Sequence, residues 1–240
     1  MNGVRSGLFY AWLFLLIAVF ALLFAPALLL PRPVLTWGQR LWASMVLGGL
    51  RWIAGVRVEV RGQAHRPAGG VLIAAKHQSM LDGIAPLVFL RDPSFVLKKE
   101  LLANPVYGAY GRKAELVSLD REGGAAALKG LVADVRHQVG KGRPTIIFPE
   151  GTRQSPGAAP DYKPGVAGLY RELGGAVVPM ATNSGLRWPA KGWTMRPGTA
   201  IYEFLPPVAP GLKRGAFMTE LQSRIETASD ALQAEGERRG

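Results

Sequence analysis

The chain contains no cysteine, which excludes disulfides, thiolate metal sites and a cysteine nucleophile. Histidine is scarce: His65, His77 and His137 are the only three, so any chemistry that needs an imidazole must choose among them. No G-x-S-x-G elbow occurs, which argues against a serine hydrolase with a covalent acyl intermediate. Without cysteine, and with one histidine in a chemically suggestive setting, neither a metal site nor a cofactor is expected. Acidic residues are also few, 17 against 29 Lys and Arg, for a formal net charge of +12. That balance points to acidic partners: nucleic acid, anionic lipid or an acidic substrate carrier. A nucleic-acid binder would carry a basic stripe interleaved with aromatics. Here the cations are spread along the chain and gather at strand ends, so nucleic acid is not the expected partner.

What the sequence does hold begins with a long apolar run. No charge occurs between Leu8 and Leu30, about the roughly 20 residues a bilayer-spanning helix needs. Pro26, Pro31 and Pro33 then stop or kink that helix. A secretory signal peptide is the competing reading, because Arg5 precedes the run and Ala25-Pro26-Ala27 resembles a cleavage site. Against it, apolar residues continue to Leu30 and the next segment is itself membrane-seeking. That segment, residues 34–54, spaces Trp37, Leu41, Trp42, Met45, Val46 and Ile53 near a helical period, with Arg40 and Arg51 between them. Two readings stand: a helix lying in the membrane interface, where Trp and Arg favour the headgroup level, or a core helix of the globular domain. The division expected is residues 1–54 as membrane-associated helices and residues 55–240 as one domain, since 240 residues suit a single core.

From Val56 the pattern becomes Val-Arg-Val-Glu-Val-Arg-Gly, a strict alternation that reads as a half-exposed strand ending in a turn. Short apolar runs follow at 71–75, 94–97, 115–119, 145–148, 176–180 and 200–205, with helical stretches expected at 79–90, 99–112, 124–139, 164–173 and 216–234. Strands alternating with helices define an α/β domain.

The chemistry-bearing residues sit where these strands end. His77 leaves the strand at 71–75, and Asp82 falls in the first turn of the next helix. A carboxylate there can fix the imidazole tautomer and leave the other ring nitrogen free to take a proton from a hydroxyl. Ser79 and Asp82 equally match a capping box, and the two roles are compatible. Phe148-Pro149-Glu150-Gly151-Thr152-Arg153 also follows a strand. Gly151 permits close backbone approach, Thr152 supplies a hydroxyl and Arg153 can grip phosphate in a fork. Glu150 is the odd member, suited to holding Arg153 or to contacting a sugar or glycerol hydroxyl. Lys98-Lys99-Glu100-Leu101 and Leu119-Asp120-Arg121 place further cations at strand ends, and Val178-Pro179-Met180 is a candidate wall of the same cleft.

Taken in order, KHQSMLD, LVSLDRE, FPEGTR and VVPMATNSG resemble the four signature blocks of the lysophosphatidic acid acyltransferases, within the glycerolipid acyltransferase superfamily. The resemblance covers nearly the whole chain. Lys76 stands where the family commonly has asparagine, and Ser118-Leu119 where a bulkier apolar pair is usual. The resemblance implies that His77 is the base for the acceptor hydroxyl and Asp82 its orienting partner. It further implies that Arg121, Glu150, Gly151 and Arg153 form the glycerophosphate site, with Lys98 assisting. The expected fold is α/β: a single acyltransferase domain with a mixed central sheet flanked by helices, preceded by a two-helix membrane anchor. The expected partners are a lysophosphatidic acid acceptor, an acyl-CoA or acyl carrier protein donor, and anionic membrane lipid, with the domain on the cytoplasmic face. An acceptor of another lyso-lipid class, such as a lyso-ornithine lipid, is the runner-up.

Overall fold

A computed structural model describes residues 1–120 and 123–238. Helix α1 (Asn2–Leu23) ends before Pro26, and a 3-10 turn, Ala25–Leu28, leads into α2 (Arg32–Gly49), which runs on into a π turn, Leu50–Ala54. The α/β unit follows: β1 (Val56–Arg61), β2 (Leu72–Ala75), a 3-10 turn Met80–Gly83, α3 (Pro86–Phe89), β3 (Ser94–Lys98), α4 (Lys99–Ala103), α5 (Pro105–Lys113), β4 (Val117–Leu119), α6 (Gly124–Gly140), β5 (Thr145–Ile147), α7 (Gly165–Leu173), β6 (Val177–Thr182), α8 (Ser184–Arg187), β7 (Gly198–Phe204) and α9 (Arg214–Arg238). Two expected helices are shorter than their apolar pattern suggests. Residues 79–90 form a 3-10 turn, opened by a capping box at Ser79, and one turn of α-helix. Residues 99–112 break at Asn104-Pro105, where the Asn104 side chain accepts from the amides of Val106 and Tyr107 and starts a new helix.

The strands form one mixed sheet in the order β1-β7-β6-β2-β5-β3-β4, parallel throughout except for the β6–β7 pair. Side chains alternate across a strand, and both faces are buried. Ile73 and Ala75 of β2 join Val178, Met180 and Tyr202 in one core, whereas Leu72 and Ala74 join Leu131, Val135, Leu169, Phe217 and Leu221 of α6, α7 and α9 in the other. β1 lies at an edge and carries Arg57, Glu59 and Arg61, charges that discourage pairing with another sheet.

The N-terminal helices supply the layer over the first core. Phe9, Leu13 and Leu16 of α1 and Ala43 and Val46 of α2 belong to the same buried cluster as Ile73 and Tyr202. Gly49 admits the close approach of α1, since a β-carbon there would lie 2.3 Å from the Trp12 ring. Polar ties hold α1 in place: the Ser6 hydroxyl accepts from the Met195 amide at 2.8 Å, and the Trp188 indole donates to the Tyr10 hydroxyl at 3.1 Å. On the outer side Phe14, Leu15, Ile17, Val19, Leu22 and Leu23 of α1 and Trp37 and Leu41 of α2 stay exposed. Among the described residues, α1 is the helix long and apolar enough to cross a membrane.

A charged cluster locks the sheet end opposite the candidate site. Asp92 and Glu115, which precede β3 and β4, sit at φ 50 and 57, a conformation that side-chain-bearing residues adopt only when neighbours enforce it. Arg32 at the start of α2 forks onto Asp92 at 2.8 and 2.6 Å, and the buried Arg143 donates to the carbonyls of Asp92 and Ala114. Lys141 donates to Glu115 at 2.8 Å and, ahead of the charges of Arg32 and Arg143, holds that carboxyl below its usual range. A depressed folded-state pKa stabilises above the unfolded value and is lost as pH falls through the folded one. Glu115→Gln should therefore flatten the fall in Tm on acidification below about pH 4.3. The effect at neutral pH should be under about 1 kcal/mol, since the pair is partly exposed. A parallel acid limb in both proteins would contradict this.

Candidate active site

β2 ends at Ala75, and the Lys76 amide donates to the Met180 carbonyl, so His77 is the first residue free of the sheet. Its Nδ1 lies 3.0 Å from Asp82 Oδ2, which also accepts from the amides of Gln78 (2.7 Å) and Ser79 (2.8 Å). The other oxygen accepts from the Ser184 hydroxyl at 2.6 Å and the Tyr202 hydroxyl at 2.8 Å. Asp82 is fully buried, and five donors converge on it. An ionised carboxylate can only accept, so Nδ1 carries the proton and Nε2 keeps its lone pair. Burial, followed by the Asp82 charge, pushes the Tyr202 phenol well above its ordinary pKa, so it remains a donor. The capping box at Ser79 is present as well. The His77–Asp82 contact and the capping box thus coexist in one arrangement.

The His77 ring stacks on Phe148 with centroids 3.9 Å apart and planes at 17°. The Gln154 amide donates to the His77 carbonyl at 2.8 Å, tying the loop after β5 to the histidine's own backbone. Gly151, at φ 66, turns this loop in a conformation that suits glycine. The two segments border a cleft of about 1050 Å³, lined by His77, Lys98, Leu101, Leu119, Phe148, Gly151, Thr152 and Arg153. Val96, Leu128, Leu131, Ile147 and Val166 form apolar wall, and Lys163, Arg171, Lys213 and Arg214 add cations. Asp120 is the one carboxylate among the described lining residues. The cleft therefore combines an imidazole, an anion-attracting rim and room for an apolar chain.

The structure brings His77, Asp82, Lys98, Gly151, Thr152 and Arg153 to this region, and Arg121 lies outside the described residues. Glu150 is placed differently from its neighbours. Its carboxylate is buried behind the loop, where Oε1 accepts from Lys76 Nζ at 2.8 Å. The same ammonium meets both oxygens of Glu226 on α9 at 2.9 and 2.8 Å, and the Tyr162 hydroxyl donates to Glu226 at 2.8 Å. Burial raises the Glu150 pKa, with Lys76 opposing. Val178 and Met180 are not a cleft wall: both are buried in the sheet core, because β6 is an interior strand of the sheet. Ser184 and Tyr202 are the partners of Asp82 that sequence reasoning did not assign. Ser184 lies inside the fourth signature block and was findable there, whereas Tyr202 reads as an ordinary core aromatic in a strand.

The Acyltransferase family matches residues 57–183, more than half of the chain, and carries the His77/Asp82 pair and the 148–153 loop within it. The protein belongs to this family of acyltransferases. Among its relatives is the 1-acyl-sn-glycerol-3-phosphate acyltransferase of Pseudomonas aeruginosa, 31% identical over 94% of this chain and 89% of that protein. The enzyme of the same name from Limnanthes alba is 30% identical over 75% of this chain and 65% of its own length. The fold is that of the 1-acyl-sn-glycerophosphate acyltransferase PlsC from Thermotoga maritima, with a TM-score of 0.79, 21% identity and 98% of each chain covered.

Proposed function

We propose that the protein acylates the sn-2 hydroxyl of 1-acyl-sn-glycerol 3-phosphate, drawing the acyl group from a thioester and producing phosphatidic acid. The observation that carries this reading is the His77 imidazole, held by buried Asp82 and opening into a cleft that is both apolar and cationic. His77 Nε2 takes the hydroxyl proton as the oxygen attacks the thioester carbonyl. The C–O bond forms, the C–S bond breaks, and the proton passes to the departing sulfur. Lys98, Thr152, Arg153 and the Gly151 backbone hold the glycerol phosphate. Glu150 serves from behind, through Lys76, rather than by touching substrate. The donor is acyl-CoA or acyl carrier protein, both acidic and cytosolic, which sets the cleft on the cytoplasmic face of an anionic membrane.

The test is acyl transfer from labelled acyl-CoA and, separately, labelled acyl carrier protein to lysophosphatidic acid in membranes containing the protein. Formation of phosphatidic acid is expected. Arg153→Ala should raise KM for the acceptor about 10- to 100-fold, the loss of a charge-assisted phosphate contact, with a smaller change in kcat. A wild type that acylates a phosphate-free lyso-lipid and ignores lysophosphatidic acid would keep the chemistry and replace the acceptor.

A further inference from the structure

Leu101 of α4 and Val106 and Tyr107 of α5 are large apolar side chains 48%, 58% and 47% exposed. Isolated exposed apolar residues are ordinary on soluble proteins, but these connect two functional features. Residues three and four apart share one stripe of a helix, so Val106 and Tyr107 stand in line with Tyr110. The Tyr110 hydroxyl donates to the Ala21 carbonyl in the last turn of α1 at 2.5 Å, and Leu22 and Leu23 are exposed beside it. In the other direction, Leu101 lines the cleft next to Lys98. An apolar track thus runs from the end of the most lipophilic helix to the cleft mouth. Lys98 and Lys99 border it at one end and Lys113 at the other. The Asn104 cap fixes the presentation of Val106 and Tyr107.

We infer that the α4–α5 corner is a second membrane contact, seating the cleft mouth on the bilayer so that a lyso-lipid's acyl chain lies along the track while its phosphate moves toward Lys98 and Arg153. The inference rests on the acceptor reading above. Lipid is the occupant that fits, because the track continues the exposed face of a helix long and apolar enough to cross a membrane, and its flanking cations match anionic headgroups. Without such a path, every methylene of the chain would cross water on its way to the cleft, at a cost that grows with exposed area.

The full chain, wild type and Val106→Ser/Tyr107→Ser, is reconstituted in vesicles of phosphatidylcholine and phosphatidylglycerol. Each is assayed on long-chain lysophosphatidic acid in the vesicles and on a short-chain, water-soluble monomeric lysophosphatidic acid. The double variant should raise KM for the vesicle-borne acceptor about tenfold, the loss expected from removing buried apolar anchors, while kinetics on the monomeric acceptor stay within about twofold. Unchanged kinetics on the vesicle-borne acceptor would overturn the inference. So would an equal loss on both acceptors, which would place these residues in the site or the fold. A defect confined to acyl carrier protein as donor would make the corner a protein-docking surface and overturn it too. A wild type inactive on both acceptors would instead remove the acceptor reading beneath it.

Discussion

His77→Ala should lower kcat for phosphatidic acid formation by about 10²- to 10⁴-fold, the usual worth of a positioned base, with the acceptor KM changed by no more than about threefold. Asp82→Asn should fall in the same range, for a separable reason. An asparagine can turn its carbonyl toward the His77 Nδ1–H and the Gln78 and Ser79 amides, while the Ser184 and Tyr202 hydroxyls rotate to accept from its amide group. The hydrogen-bonded frame then survives, and what is lost is the negative charge that stabilises the imidazolium formed during proton transfer. Asp82→Ala strands five donors in a fully buried position and should therefore also lose Tm, where Asp82→Asn loses little. Steady-state kinetics beside thermal unfolding separate the cases. Full activity in His77→Ala would remove the mechanism, and an active Asp82→Asn would reduce the aspartate to a helix cap.

The His/Asp pair was legible in the sequence because its members are five residues apart, and the strand end and the turn after it bring them together without help from the rest of the chain. The mixed sheet and its strands were legible for a related reason: β-branched runs with charged or glycine-rich ends carry their own signal. Contacts across the chain were not. Ser184 and Tyr202 reach Asp82 from 102 and 120 residues away; the fourth signature block draws attention to Ser184, but nothing at Tyr202 marks it as a partner of a carboxylate. The role of α1 and α2 was half legible. Their apolar outer residues fit the membrane expectation, but the inward stripe of Phe9, Leu13 and Leu16 that covers the sheet is hidden in a run where nearly every residue is apolar. Glu150 shows the limit of motif spacing most clearly. It stands between Pro149 and Gly151 in the loop, yet its side chain faces the other way, toward Lys76 and the His77 backbone.

Lys76→Met should be the most destabilising single substitution near the site. Its side chain is 3% exposed, and its ammonium is shared by the side chains of Glu150, 1% exposed, and Glu226, 17% exposed. Removing one partner of a buried ion pair leaves uncompensated charge and costs about 3–5 kcal/mol, here with two carboxylates left facing each other. The pH dependence follows from Glu150. Burial already raises its pKa, Glu226 adds to the rise, and Lys76, followed by a smaller contribution from the His77 backbone, opposes both. Without Lys76 the folded-state pKa moves further above the unfolded one. A group raised in this way favours the folded state below its unfolded pKa, and that contribution is lost as pH rises through the folded value. The Tm deficit of Lys76→Met against wild type should therefore be largest at neutral and alkaline pH and shrink toward acid, and Glu150→Gln in the same chain should recover much of it at neutral pH. Because Lys76 adjoins His77 and Glu150 adjoins Gly151, whatever stable protein remains should show a raised acceptor KM as the 148–153 loop shifts from the strand end. A Lys76→Met protein with wild-type Tm at neutral pH would mean that the two carboxylates find other partners and that the lysine is not what joins α9 to the 148–153 loop.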